Sequence, residues 1–463
     1  MNRKHFLKSI LGTSALVGTS LNSFSFNIDS IEELINNTKI KTSGEMFSFS
    51  DEKIKKVKIG IIGVGNRGSV LLEMFQYLVK NNHAEIIAIS DISEKKVNKA
   101  SNKLSKFQNK KAKLFFKSAN DWKKMCKIED IDLILIATPW NLHAHMSIHS
   151  MEMGKHVACE VPIASTLEDC WKLIEVSERT KKHLIMMENC NYNEEELWIL
   201  NMTQEGVFGD ITHAEGAYLH DLRALLLDNK YYEGQWRLKE HIDRNGNFYT
   251  THGLGPIAFY LNIGRGDNFS HLTSMSSREL NLSLASKKIN HHVTSYKCGD
   301  MNNTLIKTYK GKTILLQFDV HTGRPYSRIN KLVGTKAVHD GYPSRLYIDS
   351  ENPKYWGHNW LGKEDYNFYK NKYQHPIIKK LKSISNNFKQ GHGGMDFIMI
   401  YRLIRCLNLG IPLDINLYDS VMWSAITPLS ELSVATNSNS VKIPDFTNGK
   451  WKKNSSLEIM REI

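Results

Sequence analysis

Apolar positions along this chain fall into two regimes that change near residue 190. From 57 to about 190, short apolar runs alternate with stretches of helical spacing. Residues 57–62 form a mainly apolar run, and Leu71, Leu72, Phe75 and Leu78 then recur at helical spacing through 70–80. Further runs at 85–90, 132–138, 154–160 and 183–188 read as strands, and 121–127 and 167–179 read as helices. The run D-L-I-L-I-A-T at 132–138 is almost free of polar residues, as expected of a parallel strand buried on both faces. Pro139 stops it, and Trp140 opens the next helix. Strands alternating with helices predict a doubly wound parallel sheet. After Asn191 the pattern changes. A helix over 193–205 is followed by alternating runs at 211–218, 272–277, 292–297, 305–309, 313–321 and 327–333. Successive strands without intervening helices predict an α+β domain with an open, mainly antiparallel sheet. Amphipathic helices at 395–407 and 417–435 close over that sheet or return to the first domain.

The first strand runs straight into Gly63, Gly65 and Gly68, giving G-x-G-x-x-G between a strand and a helix. The first glycine permits a tight turn, the second lets backbone approach a pyrophosphate, and the third lets helix pack on strand. The helix that follows points its N-terminal amides at the phosphates. The second strand ends in Asp91, where a carboxylate accepts hydrogen bonds from an adenosine ribose and repels a 2′-phosphate. The expected cofactor is therefore NAD rather than NADP, bound by a Rossmann domain over 57–190. Residues 191–463 form the substrate domain.

The first 26 residues resemble an export signal. Arg3 and Lys4 precede a small-residue apolar run from Phe6 to Leu21, too short for a stable membrane span. N-R-K-H-F-L-K is similar to a twin-arginine signal with Lys4 in place of the second arginine. The expected destination is periplasmic or extracellular. Residues 27–56 read as a polar tether. No later segment is long and apolar enough to cross a bilayer.

Composition narrows the partners. The 463 residues carry a net charge of +13, from 61 basic and 48 acidic side chains. The lysines are scattered and often beside asparagine, without a basic cluster interleaved with aromatics, so nucleic acid is not an expected partner. Six cysteines (126, 159, 170, 190, 298 and 406) form no C-x-x-C pair and read as small core residues. His143 with His145, and His291 with His292, lack companions at ligand spacing, so no metal is expected. Homo-oligomerisation is left open.

A-T-P-W-N-L-H and G-K-H-V-A-C-E-V-P, on this sheet pattern, resemble the Gfo/Idh/MocA oxidoreductases. That family usually carries Glu-Lys-Pro where this chain has Glu160-Val161-Pro162, and D-x-G-x-H in the second domain, which is not found here. A branch with the same departures is glycoside hydrolase family 109, the NAD-dependent α-N-acetylgalactosaminidases. The chain is similar to it over nearly its whole length, through G-V-G-N-R-G, C-E-V-P, G-A-Y-L-H-D-L-R, G-Q-W-R, Y-T-T-H-G-L-G-P, G-R-P-Y-S-R and G-H-G-G-M-D-F-I-M. The resemblance implies NAD contacts at Asn66, Arg67, Asp91, Trp140, Asn141, Leu142, His143, Glu160, Val161 and Asn189. It implies sugar contacts at Tyr218, Arg237, Tyr249, His252 and Tyr326.

The residue types are compatible with those roles. Asn66 and Arg67 lie in the glycine loop, where donors meet phosphate. Trp140 and His143 follow a strand end, within reach of ribose and nicotinamide. Tyr326 sits between Arg324 and Arg328, and a neighbouring cation favours phenolate, which suits a base. His252 titrates in its unperturbed form near neutrality and suits proton traffic at the 3-hydroxyl or the leaving oxygen. His392 reads as a turn residue capping the helix at Met395. The expected reaction is retaining hydrolysis through an oxidised sugar, with Tyr326 the candidate C2 base. The alternative is an NAD-dependent sugar dehydrogenase or epimerase of the Gfo/Idh/MocA type. A nucleotide-sensing module without catalysis is a third class.

Overall fold

The computed structural model describes residues 28–349 and 358–454. The expected export segment lies outside the described residues.

The first domain is a six-stranded, all-parallel sheet in the order β3-β2-β1-β4-β5-β6. Its strands are β1 (Val57–Ile62), β2 (Ala84–Ser90), β3 (Lys113–Phe115), β4 (Leu133–Ile136), β5 (His156–Cys159) and β6 (Leu184–Met186). This is the order of a dinucleotide-binding doubly wound sheet, with its switch point between β1 and β4. The core strands β4, β5 and β6 are buried at every position, which is why they read as unbroken apolar runs. The helix after β1 starts at Asn66, earlier than the apolar spacing implied, because its first turn is polar loop sequence.

The second domain is an eight-stranded sheet in the order β13-β12-β11-β7-β10-β9-β8-β14. Its strands are β7 (Ile211–Leu219), β8 (Phe269–Ser276), β9 (Asn302–Thr308), β10 (Thr313–Asp319), β11 (Lys331–Gly334), β12 (Ala337–Gly341), β13 (Ser344–Ile348) and β14 (Val441–Lys442). Neighbours are antiparallel except β7 and β10, which run parallel. The strand expected at 292–297 does not form. The amides of Lys297 and Cys298 instead bond to the His241 carbonyl at 3.1 Å, capping the Trp236–Asp243 helix. The run expected at 327–333 pairs continuously only from Lys331, because Ile329 and Asn330 have φ of 62° and 50° and break the pleat.

Residues 27–56 are not a free tether. Ile28–Asn36 is a helix whose Ile31, Leu34 and Ile35 are buried in the main core. Met46 and Phe47 follow them, with Phe47 stacked on Tyr418 at 5.7 Å between ring centroids. Ile31, Leu34 and Ile35 thus fall at i, i+3 and i+4, one face of the helix.

The Leu417–Ala435 helix joins the two sheets. Ser420 Oγ accepts from the Met186 amide of β6 at 2.9 Å, and Ser433 Oγ accepts from the Ser274 amide of β8 at 2.8 Å. The 395–409 and 417–435 helices therefore return to the first domain as well as covering the second. No helix among the described residues is long and apolar enough to cross a membrane.

Since Leu34 is 4% exposed, Leu34→Ala should destabilise the protein by about 2–4 kcal/mol. Denaturant unfolding checks this; no loss would return the segment to the status of a tether.

Candidate functional site

The glycine loop is built for close approach. A Cβ on Gly63, at φ 86°, would meet the Ala137 carbonyl oxygen at 2.6 Å, and one on Gly68 would meet the Gly63 carbonyl oxygen at 1.9 Å. Gly65 faces open space, with only Lys96 Nζ within reach at 3.7 Å. The Asn66–Met74 helix has no side-chain cap and no acid in its first turn, so its amides are available to an anion. Asp91 accepts from the Val64 amide at 2.9 Å and the Ser93 amide at 2.9 Å, which ties the end of β2 to the loop. These residues fit a dinucleotide: bare amides and a small-residue cradle for the pyrophosphate, and a carboxylate at the ribose position.

Two residues expected at the nucleotide are turned elsewhere. Arg67 lies in an ion-pair network rather than over the phosphates. Its Nε donates to Glu160 at 2.6 Å, and Nη1 and Nη2 donate to Asp396 at 2.6 and 3.0 Å. Asn189 joins the network, donating to Asp396 at 2.7 Å, and His392 Nδ1 lies 2.9 Å from the same carboxylate. His392 is thus part of this cluster as well as of the turn before the helix. Burial alone would raise the Asp396 carboxyl, but Arg67 and His392 outweigh it and hold it well below the usual carboxylate range. His143 is also inward. It is 1% exposed, and its two ring nitrogens each lie 2.7 Å from a backbone carbonyl, Pro162 and Thr138. It braces the ends of β4 and β5. Val161 is buried, Leu142 packs against the core, and Asn66 and Asn141 are exposed on the loop side.

Trp140 faces the other way and links the two domains. Its ring lies 5.8 Å from Tyr249 and 5.3 Å from Trp236, and the Arg237 guanidinium sits 4.9 Å above it. The five expected sugar contacts all converge here. Tyr218 lies 4.4 Å from Tyr249, 5.5 Å from His252 and 6.1 Å from Tyr326, ring to ring. Arg237 also covers Tyr249 at 4.8 Å. Its Nη1 donates to Tyr232 Oη at 2.9 Å, while its buried Nε and Nη2 carry no hydrogen bond. Such donors call for an acceptor from a ligand, since a buried unpaired donor costs about 1–3 kcal/mol.

His252 reaches this cage because the Thr251–Tyr260 helix sits directly on β7. A Cβ on Gly253 would meet the Ala217 amide nitrogen at 2.4 Å, and one on Gly216 would meet the Gly253 carbonyl oxygen at 2.5 Å. Gly255 allows the same approach to Glu188 and Asn191.

Glu188 was not among the residues singled out from sequence. Fully buried, it lies with its carboxylate oxygens 2.7 and 2.9 Å from His252 Nδ1. Burial would raise this carboxyl, but His252 and further hydrogen bonds hold it below its ordinary value. The signal available was position: an acidic residue just after β6, at the sheet edge where open α/β sheets bind ligands. With Nδ1 turned to Glu188, His252 presents Nε2 to the cage, the arrangement of an oriented general base.

The tyrosines are not phenolates in this setting. Burial pushes the Tyr218 hydroxyl up to about 12 although Arg237 opposes it. Desolvation also raises the Tyr326 hydroxyl, and Arg328, 3.1 Å away at Nη1, only partly offsets it. Arg328 is itself bound by Glu196 through Nε and Nη2, so its charge does not tip Tyr326 toward the phenolate expected from sequence.

These features define a two-domain protein with an NAD-binding Rossmann domain facing an aromatic, histidine-containing cage. Residues 57–188 match the oxidoreductase family, NAD-binding Rossmann fold, and residues 192–453 match the glycosyl hydrolase 109 C-terminal domain. The chain belongs to glycosyl hydrolase family 109. It is 39% identical over 465 residues to the alpha-N-acetylgalactosaminidase of Shewanella oneidensis, covering 99% of each chain. Among solved structures, it is similar to an oxidoreductase domain protein from Kribbella flavida (TM-score 0.64, 17% identity, 85% of this chain and 100% of that one). It is likewise similar to levoglucosan dehydrogenase in complex with NADH and levoglucosan (TM-score 0.62, 19% identity, 84% of this chain and 100% of that one). At those identities the likeness concerns the fold.

Two outcomes are expected. Asp396 is depressed in the folded state and titrates near 3.9 when unfolded, so its contribution is complete above about pH 5 and falls away as the medium is acidified. Asp396→Asn should therefore flatten the loss of stability below about pH 5, measured by denaturant unfolding across pH. Glu188→Gln should leave the fold intact by near-ultraviolet circular dichroism and lower kcat by about 10²-fold or more, since the amide lacks the charge that stabilises a protonated His252. Unchanged kcat would remove Glu188 from the machinery.

Proposed function

We propose that this family 109 enzyme releases terminal α-N-acetylgalactosamine with retention, using NAD as a recycled cofactor. The observation that carries this reading is the Glu188–His252 pair, 2.7 Å apart, inside a cage that Trp140 joins to the nucleotide-binding sheet edge. The printed name of the Shewanella oneidensis relative supports the substrate. The carboxylates of this network and cage are committed, Glu160 and Asp396 to Arg67 and Glu188 to His252. None of the three is a free acid or nucleophile of the kind ordinary glycosidases pair across the bond.

Bound NAD supplies a reversible hydride acceptor, so the sugar passes through a ketone at C3 and its C2 proton becomes acidic. Gly63, Gly65 and the amides opening the Asn66 helix hold the pyrophosphate, and Asp91 holds the ribose. His252 Nε2 takes the proton of the 3-hydroxyl, and Glu188 stabilises the imidazolium that results. Tyr326, at the open side of the cage with 37% of its surface exposed, takes the C2 proton. The C1–oxygen bond then breaks, a C1–C2 double bond forms and the leaving oxygen takes a proton from water; the hydroxide adds at C1 as the proton returns from Tyr326 to C2, and return of the hydride to C3 with the His252 proton to its oxygen would restore the 3-hydroxyl. Arg237 Nε and Nη2 receive the acetamido carbonyl, and Tyr218 and Tyr249 pack against the ring. The ketone at C3 acidifies the C2 proton, and the Arg328 guanidinium would offset part of the burial that holds the Tyr326 hydroxyl above the ordinary phenol range.

The experiment is turnover of an α-linked aryl N-acetylgalactosaminide in D₂O. Product labelled at C2, without accumulation of NADH, is expected. Unlabelled product from NAD-free enzyme would end the proposal, and steady NADH formation would favour a dehydrogenase. Tyr326→Phe should suppress C2 exchange while sugar oxidation survives, and His252→Gln should suppress both. The opposite pattern would exchange their roles.

We also propose, from Arg3, Lys4 and the apolar run behind them, that the enzyme is exported. Cell fractionation with activity confined to the cytoplasm would refute it.

A further inference from the structure

Behind the sugar cage is a second cluster of chemistry-bearing side chains that the proposed reaction does not use. His241 lies on the Trp236–Asp243 helix, one turn beyond Arg237. His321 follows the end of β10, and Cys298 lies in the irregular segment that caps the 236–243 helix. All three are buried, at 0%, 0% and 1% exposure. One nitrogen of each imidazole and the Cys298 sulfur all lie within 4.8 Å of one another.

The hydrogen bonding of this cluster is incomplete. His321 Nε2 and His241 Nδ1 are 3.0 Å apart, so they share one hydrogen bond at most. His241 Nε2 has no hydrogen-bond partner, His321 Nδ1 has only the distant Asp300 carboxylate, and the Cys298 thiol meets the Gly299 carbonyl next to it at 3.5 Å. Two imidazoles and a thiol buried beside Phe248 and Phe318 are poorly satisfied by one another. Asp300 Oδ1 stands 3.6 Å from His321 Nδ1, the place of the outer carboxylate that orients a metal-bound histidine.

We propose that His241, Cys298 and His321 form a binding site for a borderline-soft transition-metal ion, with Zn²⁺ as the probe. Two imidazole nitrogens and a thiolate are the donor set such ions prefer. On binding, the Cys298 S–H bond breaks, sulfur bonds to the ion, and the proton passes to solvent. The sequence spacing hid the site because its ligands come from a helix, a strand end and a loop. The ion pins the helix that carries Arg237 to the end of β10. It is separate from Glu188, Cys190 and His252, which also lie within 4.8 Å of one another but belong to the sugar cage.

The test uses tag-free holoenzyme. After incubation with Zn²⁺ and gel filtration, about one ion per chain should remain bound, and the protein should melt at a higher temperature. Co²⁺ in its place should give a near-ultraviolet sulfur-to-cobalt band that survives Cys190→Ser and disappears in Cys298→Ser. Absence of stoichiometric Zn²⁺ and of the band in the unaltered protein overturns the site, whether or not the variants fold. A band lost in Cys190→Ser and kept in Cys298→Ser overturns it as well, by placing the ion in the sugar cage.

Discussion

The site depends on the absence of side chains at Gly216, Gly253 and Gly255. Backbone meets backbone where the Thr251–Tyr260 helix crosses β7, closer than any Cβ would permit. That approach places His252 beside Tyr218 and brings its ring to Glu188. Relaxing the contact by one methyl group moves the helix outward by more than hydrogen bonds tolerate, since angles and distances that far from ideal forfeit the interaction. The glycines of Y-T-T-H-G-L-G-P thus act through packing, and the histidine between them acts through the position that packing permits.

A second constraint joins the domains by charge. Arg67, from the glycine loop, bonds to Glu160 at the end of β5 and to Asp396 at the start of the Met395–Leu409 helix. Buried ion pairs add little net stability over apolar packing, but removing one partner leaves an uncompensated charge, at about 3–5 kcal/mol. The network is therefore better understood as a fixture of geometry. It holds the Asn66 helix, whose N-terminal amides face the phosphates, against the C-terminal helices. Asn189 and His392 complete it, so residues that resemble nucleotide contacts in sequence also set the angle between the nucleotide sheet and its lid of helices.

Much of the architecture was legible because buried parallel strands write themselves as apolar runs. β1, β2, β4 and β5 appear that way, and G-x-G-x-x-G between strand and helix marks the cofactor edge. What was hidden rests on long-range contacts. Residues 292–297 alternate like a strand, yet the amides at the end of this segment go to a helix terminus. Ile31, Leu34 and Ile35 are too few to distinguish a docked helix from a tether until Tyr418 and its neighbours are in place. The five residues expected at the sugar do meet in one cage. Arg67 and His143 lie at the expected loop but point inward, because charge pairing and carbonyl acceptors, invisible in one sequence, decide where a long side chain turns.

The most instructive difference concerns acid–base chemistry. A cation next to a tyrosine lowers its ionisation, and Arg328 does act on Tyr326 in that direction. But Glu196 holds the same guanidinium, and the hydroxyl is desolvated, so burial wins. Histidine has no such difficulty. His252 turns Nδ1 to the Glu188 carboxylate, which compensates the charge the ring acquires when it takes a proton. A site lined with tyrosines and one carboxylate-backed histidine therefore has a ready base in His252 and a latent one in Tyr326. The latent one gains strength from the Arg328 guanidinium, against the burial that opposes it.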